Sequence, residues 1–284
     1  MELLITALKI SLVLAVFALG LSVTPRDLTY ALRRPGELSR ALLSMFVIMP
    51  TIAAVIAAGF DLTQSVEIAL VALAVSPTPA LQLRKAAKAG STSYAVGVLA
   101  ATSLLAIIWI PLSLEILELL FGIPLQIDLF RITGLVMATV LAPLGAGIAV
   151  RAWTPGFAHR AAAPCSKLAS VTLLICLIPV LIVMLRPMLS LVGNGTLAAI
   201  VGFTVVGLFA GHLLGGPSAE NRNVLALFTI SRHPGIALAI AQSNFPEQRL
   251  AVAAIVLCVV VSSVVSLPYL RWAKRHRPAA ALAE

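Results

Sequence analysis

The side chains best equipped for chemistry in this sequence stand inside two long apolar runs, where polar groups are costly. One run reads VALAVSPTPALQL and holds Ser76, Thr78 and Gln82; the other reads LFTISRHPGIALAI and holds Ser231, Arg232 and His233. Arg232 offers a permanent positive charge and a planar fork of donors that suits a carboxylate or another anion. His233 can exchange a proton near neutral pH. The hydroxyls of Ser76, Thr78 and Ser231 and the amide of Gln82 can face a ligand or satisfy backbone groups nearby. Ser76, Thr78, Gln82, Ser231 and Arg232 are therefore expected to bind substrate, with His233 and Arg232 as the coupling candidates. Each also has a plainer role open to it: Arg232 resting on backbone carbonyls, His233 permanently neutral, the hydroxyls as helix caps and Gln82 as a helix-packing bond.

Catalysis is not expected. The sequence holds no nucleophile motif, no HExxH, no carboxylate pair at one membrane depth and no glycine-rich phosphate loop. Cys165, Cys176 and Cys258 are widely spaced and form no metal-binding pattern, which reads as reduced structural thiols with no metal or other cofactor.

The surroundings of these groups follow from composition. Of 284 residues 60% are apolar and 11% charged, against about 25% charged in soluble domains, and the mean hydropathy is +1.06. A water-soluble fold cannot hide that much apolar surface, whereas about 20 apolar residues in a helix span a bilayer. Nine apolar runs, at 4–23, 38–58, 66–83, 93–114, 129–150, 168–189, 197–214, 224–242 and 250–270, predict an all-α polytopic membrane protein with nine transmembrane helices. The amino-terminal run lacks a cleavage site and is expected to remain as the first helix. Within it, Lys9 is expected to snorkel outward.

With nine spans the basic residues sort unevenly between the two sides. Fifteen fall after the odd-numbered spans, from Arg26 to Arg277, and three, Arg131, Arg186 and Arg249, fall on the other side. The positive-inside rule then places the amino terminus outside and the RWAKRHR tail in the cytoplasm. The net charge of +9 is thus an orientation signal, and no nucleic-acid partner is expected. The acidic stretch 115–128 is expected to lie as a helix at the outer interface and to link two halves.

Both chemistry-bearing runs are interrupted in their middle. Ser76, Pro79, Ala80 and Leu81 repeat as Ser231, Pro234, Gly235 and Ile236, and Pro77 strengthens the first break. Five spans separate them, so the two breaks run in opposite directions, as an inverted repeat requires. This divides the chain into a first repeat at 1–114, the linker 115–128, a second repeat at 129–273 and a basic tail at 274–284. A break in lipid frees backbone groups that must be satisfied by protein or water, and it is the usual position of a transporter's binding site. Proline kinks that only shape packing are the alternative.

The same residues resemble the bile acid/sodium symporter family. ALGLSVTPRDL with RRP at 33–35 resembles the family's first-helix signature, and Met49–Pro50 its Met-Pro pair. SPTPALQL stands where the family has Cys-Pro-Gly-Gly ending in Ser-Asn, and HPGIAL where it has Glu-x-Gly-x-Gln-Asn. The resemblance implies a core of spans two, three, four, seven, eight and nine, a panel of spans one, five and six, and a substrate cleft between them. It also implies a ten-helix plan whose first helix is missing here. The family's sodium-ligand positions fall on Gln82, Leu83, Ala95, Leu99, His233, Ala237 and Leu238, and apart from the Gln82 amide only Thr102 preserves an oxygen there. Sodium coupling is therefore not expected, and proton coupling is open.

The reading reached is a secondary transporter of a small organic anion, of bile-acid, sterol-like or carboxylate type, working by alternating access in a bacterial inner membrane. Its partners are the substrate and the bilayer. An efflux carrier of the related auxin-efflux or arsenite-efflux type is one alternative. A non-transporting membrane receptor or scaffold with a relic site is another.

Overall fold

A computed structural model describes residues 2–122 and 129–275, and the described residues form helices and turns without strands. In chain order the helices are α1 (Glu2–Gly20), α2 (Pro25–Leu28), α3 (Pro35–Leu42), α4 (Met49–Gly59), α5 (Gln64–Val75), α6 (Gln82–Ala87), α7 (Thr92–Phe121), α8 (Leu129–Val136), α9 (Ala142–Trp153), α10 (Pro155–Ser190), α11 (Thr196–Leu214), α12 (Ala219–Ile230), α13 (Pro234–Asn244) and α14 (Ala251–Arg275). Every apolar run carries helix. Seven stretches are long and apolar enough to cross a membrane, and Lys9–Gly20 and Gln64–Val75 are shorter apolar helices, which gives a polytopic membrane protein.

Two of the spans contain a widened turn. π-helical turns at Leu43–Ile48 and Met137–Leu141 join α3 to α4 and α8 to α9, and each is followed two residues later by a proline, Pro50 and Pro143. A proline brings no N–H to the preceding turn and its ring collides with a carbonyl there; widening the turn relieves the collision.

Two boundaries differ from the sequence expectation. Residues 115–121 continue α7, and Gly122 ends it in the left-handed region at φ 66. They are not a separate flat helix, because nothing in Glu115–Phe121 breaks the helical hydrogen bonding before that glycine. The remainder of the proposed linker, 123–128, lies outside the described residues, as does the tail beyond Arg275. The sixth span also starts early, since α10 begins at Pro155, a favourable first helical residue, and carries Arg160 and Lys167 in its opening turns.

The helices gather into two groups. α1 packs on α9 and α10. It meets α9 through glycines: a methyl at Gly20 would come within 2.5 Å of the Leu144 carbonyl oxygen, and one at Gly147 within 2.4 Å of that of Phe17. In the other group α5 packs on α4, α13 and α14, and α11 on α12 and α14. The span containing α12 and α13 is the most buried, 72% against 11% for α10, so the second break sits at the centre and α10 on the rim. Lys9 on α1 is exposed.

The segments that the charge sorting assigned to one side do meet at one end of the bundle. Arg151 donates to the Leu21 carbonyl at 3.2 Å, Asn221 to Glu37 at 3.1 Å, and Asn223 to the Ala89 carbonyl at 3.1 Å. At the opposite end Gln248 joins Ser65 at 3.1 Å and Gln64 at 2.7 Å.

Candidate functional site

The two breaks cross each other in the interior. α5 ends at Val75 and α12 at Ile230, and Ser76, Ser231 and His233 all adopt extended backbone angles before the next helix starts. Extended backbone leaves carbonyls and N–H groups without helical partners, and here each break supplies the other's. The His233 N–H donates to the Pro77 carbonyl at 2.8 Å, and Thr78 Oγ1 donates to the Phe228 carbonyl at 3.1 Å.

Arg232 completes the crossing. It is 4% exposed, with Nη1 donating to the Ser76 carbonyl at 3.1 Å and Nη2 to the Met45 carbonyl at 3.0 Å. Met45 lies in the π turn that precedes Pro50, so the guanidinium joins carbonyls disturbed by a break and by a proline. Its Nε is buried without a partner. Both of its partners are carbonyl oxygens, and among the described residues no carboxylate pairs with it.

His233 caps α13. Its Nδ1 accepts the Ile236 N–H at 3.3 Å, and its Nε2 stands 3.4 Å from Thr139 Oγ1 in the second π turn. Adjacent residues of one break therefore reach two different π turns, Arg232 the one before Pro50 and His233 the one before Pro143.

The other sequence candidates are divided. Ser76 is fully buried and its hydroxyl donates back to the Ala72 carbonyl at 2.7 Å, while Thr78 is fully buried and bonded as described. In this conformation neither hydroxyl is offered to a ligand. Gln82, Ser231, Pro79 and Gly235 are partly accessible, Pro234 is exposed and Pro77 is buried. The breaks come together, while none of the six polar side chains lines the cleft that lies beside them.

Beside the crossing lies a cleft of about 140 Å³, lined by Gln64, Glu67, Val71 and Ala72 along one face of α5, by Leu117 of α7 and by Ile240 of α13. It reaches Ala72, the residue that accepts Ser76 Oγ, and so stops one helical turn short of the first break. Sequence reasoning did not single out Thr139, Met45 or Glu67. For the first two the available signal was a proline one turn further on; for Glu67 it was a lone acid inside an apolar run.

Two crossing interrupted helices at the centre of a polytopic helical bundle define a membrane transporter of the broken-helix kind. Residues 9–191 match the Sodium Bile acid symporter family, a family of transporters, and the chain belongs to it. The match covers the first break and stops before α11, so the second break lies beyond it. None of the curated proteins matches the sequence.

Proposed function

We propose that the protein moves a small organic anion across the membrane by alternating access, with Arg232 as a resident cation at the crossing and without sodium. The observation that carries this is the guanidinium bonded to the Ser76 and Met45 carbonyls with no carboxylate partner. Carbonyls freed in a broken helix are what a transporter uses to hold a coupling cation. A tethered charge on the same carbonyls repels a second cation and attracts an anion.

The donor set agrees. Sodium prefers hard oxygens, and the family's ligand positions hold Leu83, Ala95, Leu99, Ala237 and Leu238 instead. Gln82 keeps one amide oxygen and Thr102 its hydroxyl, whose proton goes to the Val98 carbonyl at 2.7 Å. Two side-chain oxygens are few for a hard cation, which supports transport without sodium. Supporting the motion are the two groups of helices, α1, α9 and α10 against the rest, which correspond to a panel and a core built from inverted repeats. In that reading the cleft beside α5 is the vestibule, its apolar walls suited to the hydrophobic body of the anion and Gln82 and Ser231 to polar atoms nearer the break. The carrier lies in a bacterial inner membrane with its basic end cytoplasmic.

The test is uptake of a labelled panel of bile acids, sterol sulfates and simple carboxylates into proteoliposomes under a sodium gradient, a proton gradient or neither. Uptake independent of sodium and lost in Arg232→Gln is expected; uptake that requires sodium would falsify the resident-cation reading. Burial of Ser76, Thr78 and Arg232 also suits a receptor or scaffold with a relic site. Binding without uptake across the whole panel selects that reading.

A further inference from the structure

The contact between His233 and Thr139 joins the two groups of helices at the crossing, and its hydrogens can be placed from its neighbours. Thr139 Oγ1 donates to the Leu135 carbonyl at 2.6 Å, so it can only accept from His233 Nε2 at 3.4 Å. The Ile236 N–H donates to Nδ1 at 3.3 Å, so Nδ1 must carry a lone pair. One form of the ring meets both demands: neutral imidazole with its proton on Nε2.

A second proton has one place to go, Nδ1. There it faces the Ile236 N–H, donor against donor, and the cap of α13 is lost. The new charge also arises next to Arg232. That guanidinium, held on the carbonyls of Ser76 and Met45, is itself positive and repels it. On the elements packed against α13, the ionisable side chains are Glu67 on α5, Arg131 on α8, and Cys258, Tyr269, Arg271, Lys274 and Arg275 on α14. The nearest carboxylate in the chain of α5 is Glu67, nine residues before Ser76, or ~13 Å along a helix. Among the described residues no counter-ion pairs with His233 to hold the imidazolium in place.

We propose that His233 is the proton-coupling site of this carrier: neutral, it caps α13 and holds the second break to the π turn at Thr139; protonated at Nδ1, it loses the cap while its Nε2–H still donates to Thr139, so that the first turn of α13 loosens at the contact between core and panel. The inference rests on the transport reading for its purpose, though not for its chemistry.

The experiment therefore has one arm that needs no substrate. Amide exchange of residues 235–238 is followed in the full chain in lipid nanodiscs from about pH 8 to about pH 3.5, a range wide enough for a desolvated imidazole beside a cation. Protection in the wild type is expected to fall roughly five- to tenfold on acidification, the loss of one N-cap. In His233→Asn, which keeps a good cap and cannot titrate, protection is expected to be independent of pH. A pH-independent wild type overturns the proposal whether or not the protein transports anything. In the second arm a proton gradient drives accumulation of labelled cholate in wild-type proteoliposomes and not in His233→Asn. Unchanged accumulation in the variant overturns the coupling role. If no variant takes up any anion while the exchange still titrates, the titrating cap stands and the transport reading fails.

Discussion

Arg232 combines burial, positive charge and the absence of a carboxylate, a combination that a membrane interior tolerates only when the charge is hydrogen-bonded and used. Its bonds to Ser76 and Met45 satisfy carbonyls that would otherwise be orphaned. Arg232→Gln is expected to lower the melting temperature in detergent, with a cost on the order of 2 kcal/mol for the unpaired carbonyls. Arg232→Lys, which keeps the charge but not the fork, should retain more uptake than Arg232→Gln, and that difference separates charge from scaffolding. Asp27 works similarly outside the membrane. It accepts from the Thr24 N–H at 2.8 Å, from Thr24 Oγ1 at 2.6 Å and from Ser93 on α7. Partial burial pushes its carboxyl up, but the hydrogen bonds from Ser93 and Thr24 and the charge of Arg151 outweigh that and hold it below its ordinary value of 3.8. A depressed folded pKa means stability that is present above 3.8 and lost as pH falls through the folded value. Asp27→Asn should thus be less stable than wild type at neutral pH, by roughly 1 kcal/mol, with the gap closing in acid. Thermal melts of both proteins at several pH values read this directly.

At the scale of elements, the prolines and glycines do most of the positioning. Pro50 and Pro143 each follow a π turn, and each π turn presents a group to the second break: the Met45 carbonyl in one, Thr139 in the other. The sequence displayed those prolines, and Met49–Pro50 even carried part of the family resemblance. That their turns would be partners of Arg232 and His233 was not legible, because it depends on how three helices pack. The α1–α9 contact depends on Gly20 and Gly147 in the same way. Gly147→Ala places a methyl 2.4 Å from the Phe17 carbonyl oxygen, with backbone on both sides and nothing flexible to move. It should cost about 1–3 kcal/mol, whereas Gly156→Ala, which meets open space, should change stability by less than about 0.5 kcal/mol. Melting temperatures in one detergent compare the two.

For the whole molecule, the contacts at the two ends of the bundle reproduce the alternation that loop charges implied, with Arg151, Glu37, Asn221 and Ala89 at one end and Ser65 and Gln248 at the other. In the proposed orientation, which rests on the basic residues alone, their end faces the cytoplasm. In a chain whose three cysteines, Cys165, Cys176 and Cys258, are replaced, Glu247→Cys should react with a membrane-impermeant thiol reagent added to intact cells. Lys88→Cys should react only after the cells are opened. Both residues are exposed, so the contrast reports sidedness; the reverse pattern would invert the proposed orientation and with it the placing of the α5 cleft on the outer face.

The sequence by itself determined that this chain is a helical membrane protein, where its spans lie and which two of them are interrupted. Those features are local: hydropathy over about 20 residues, and a proline that removes its own hydrogen bond. It also showed that polar side chains gather at the interruptions. Only the tertiary structure decided what they touch. Ser76 and Thr78 turn to the Ala72 and Phe228 carbonyls, and Arg232 bridges the Ser76 and Met45 carbonyls. Thr139, unremarkable in sequence, meets His233 from 94 residues away. The reason is that a broken helix creates unmet hydrogen bonds whose number the sequence reveals, while their partners come from whichever elements packing brings alongside.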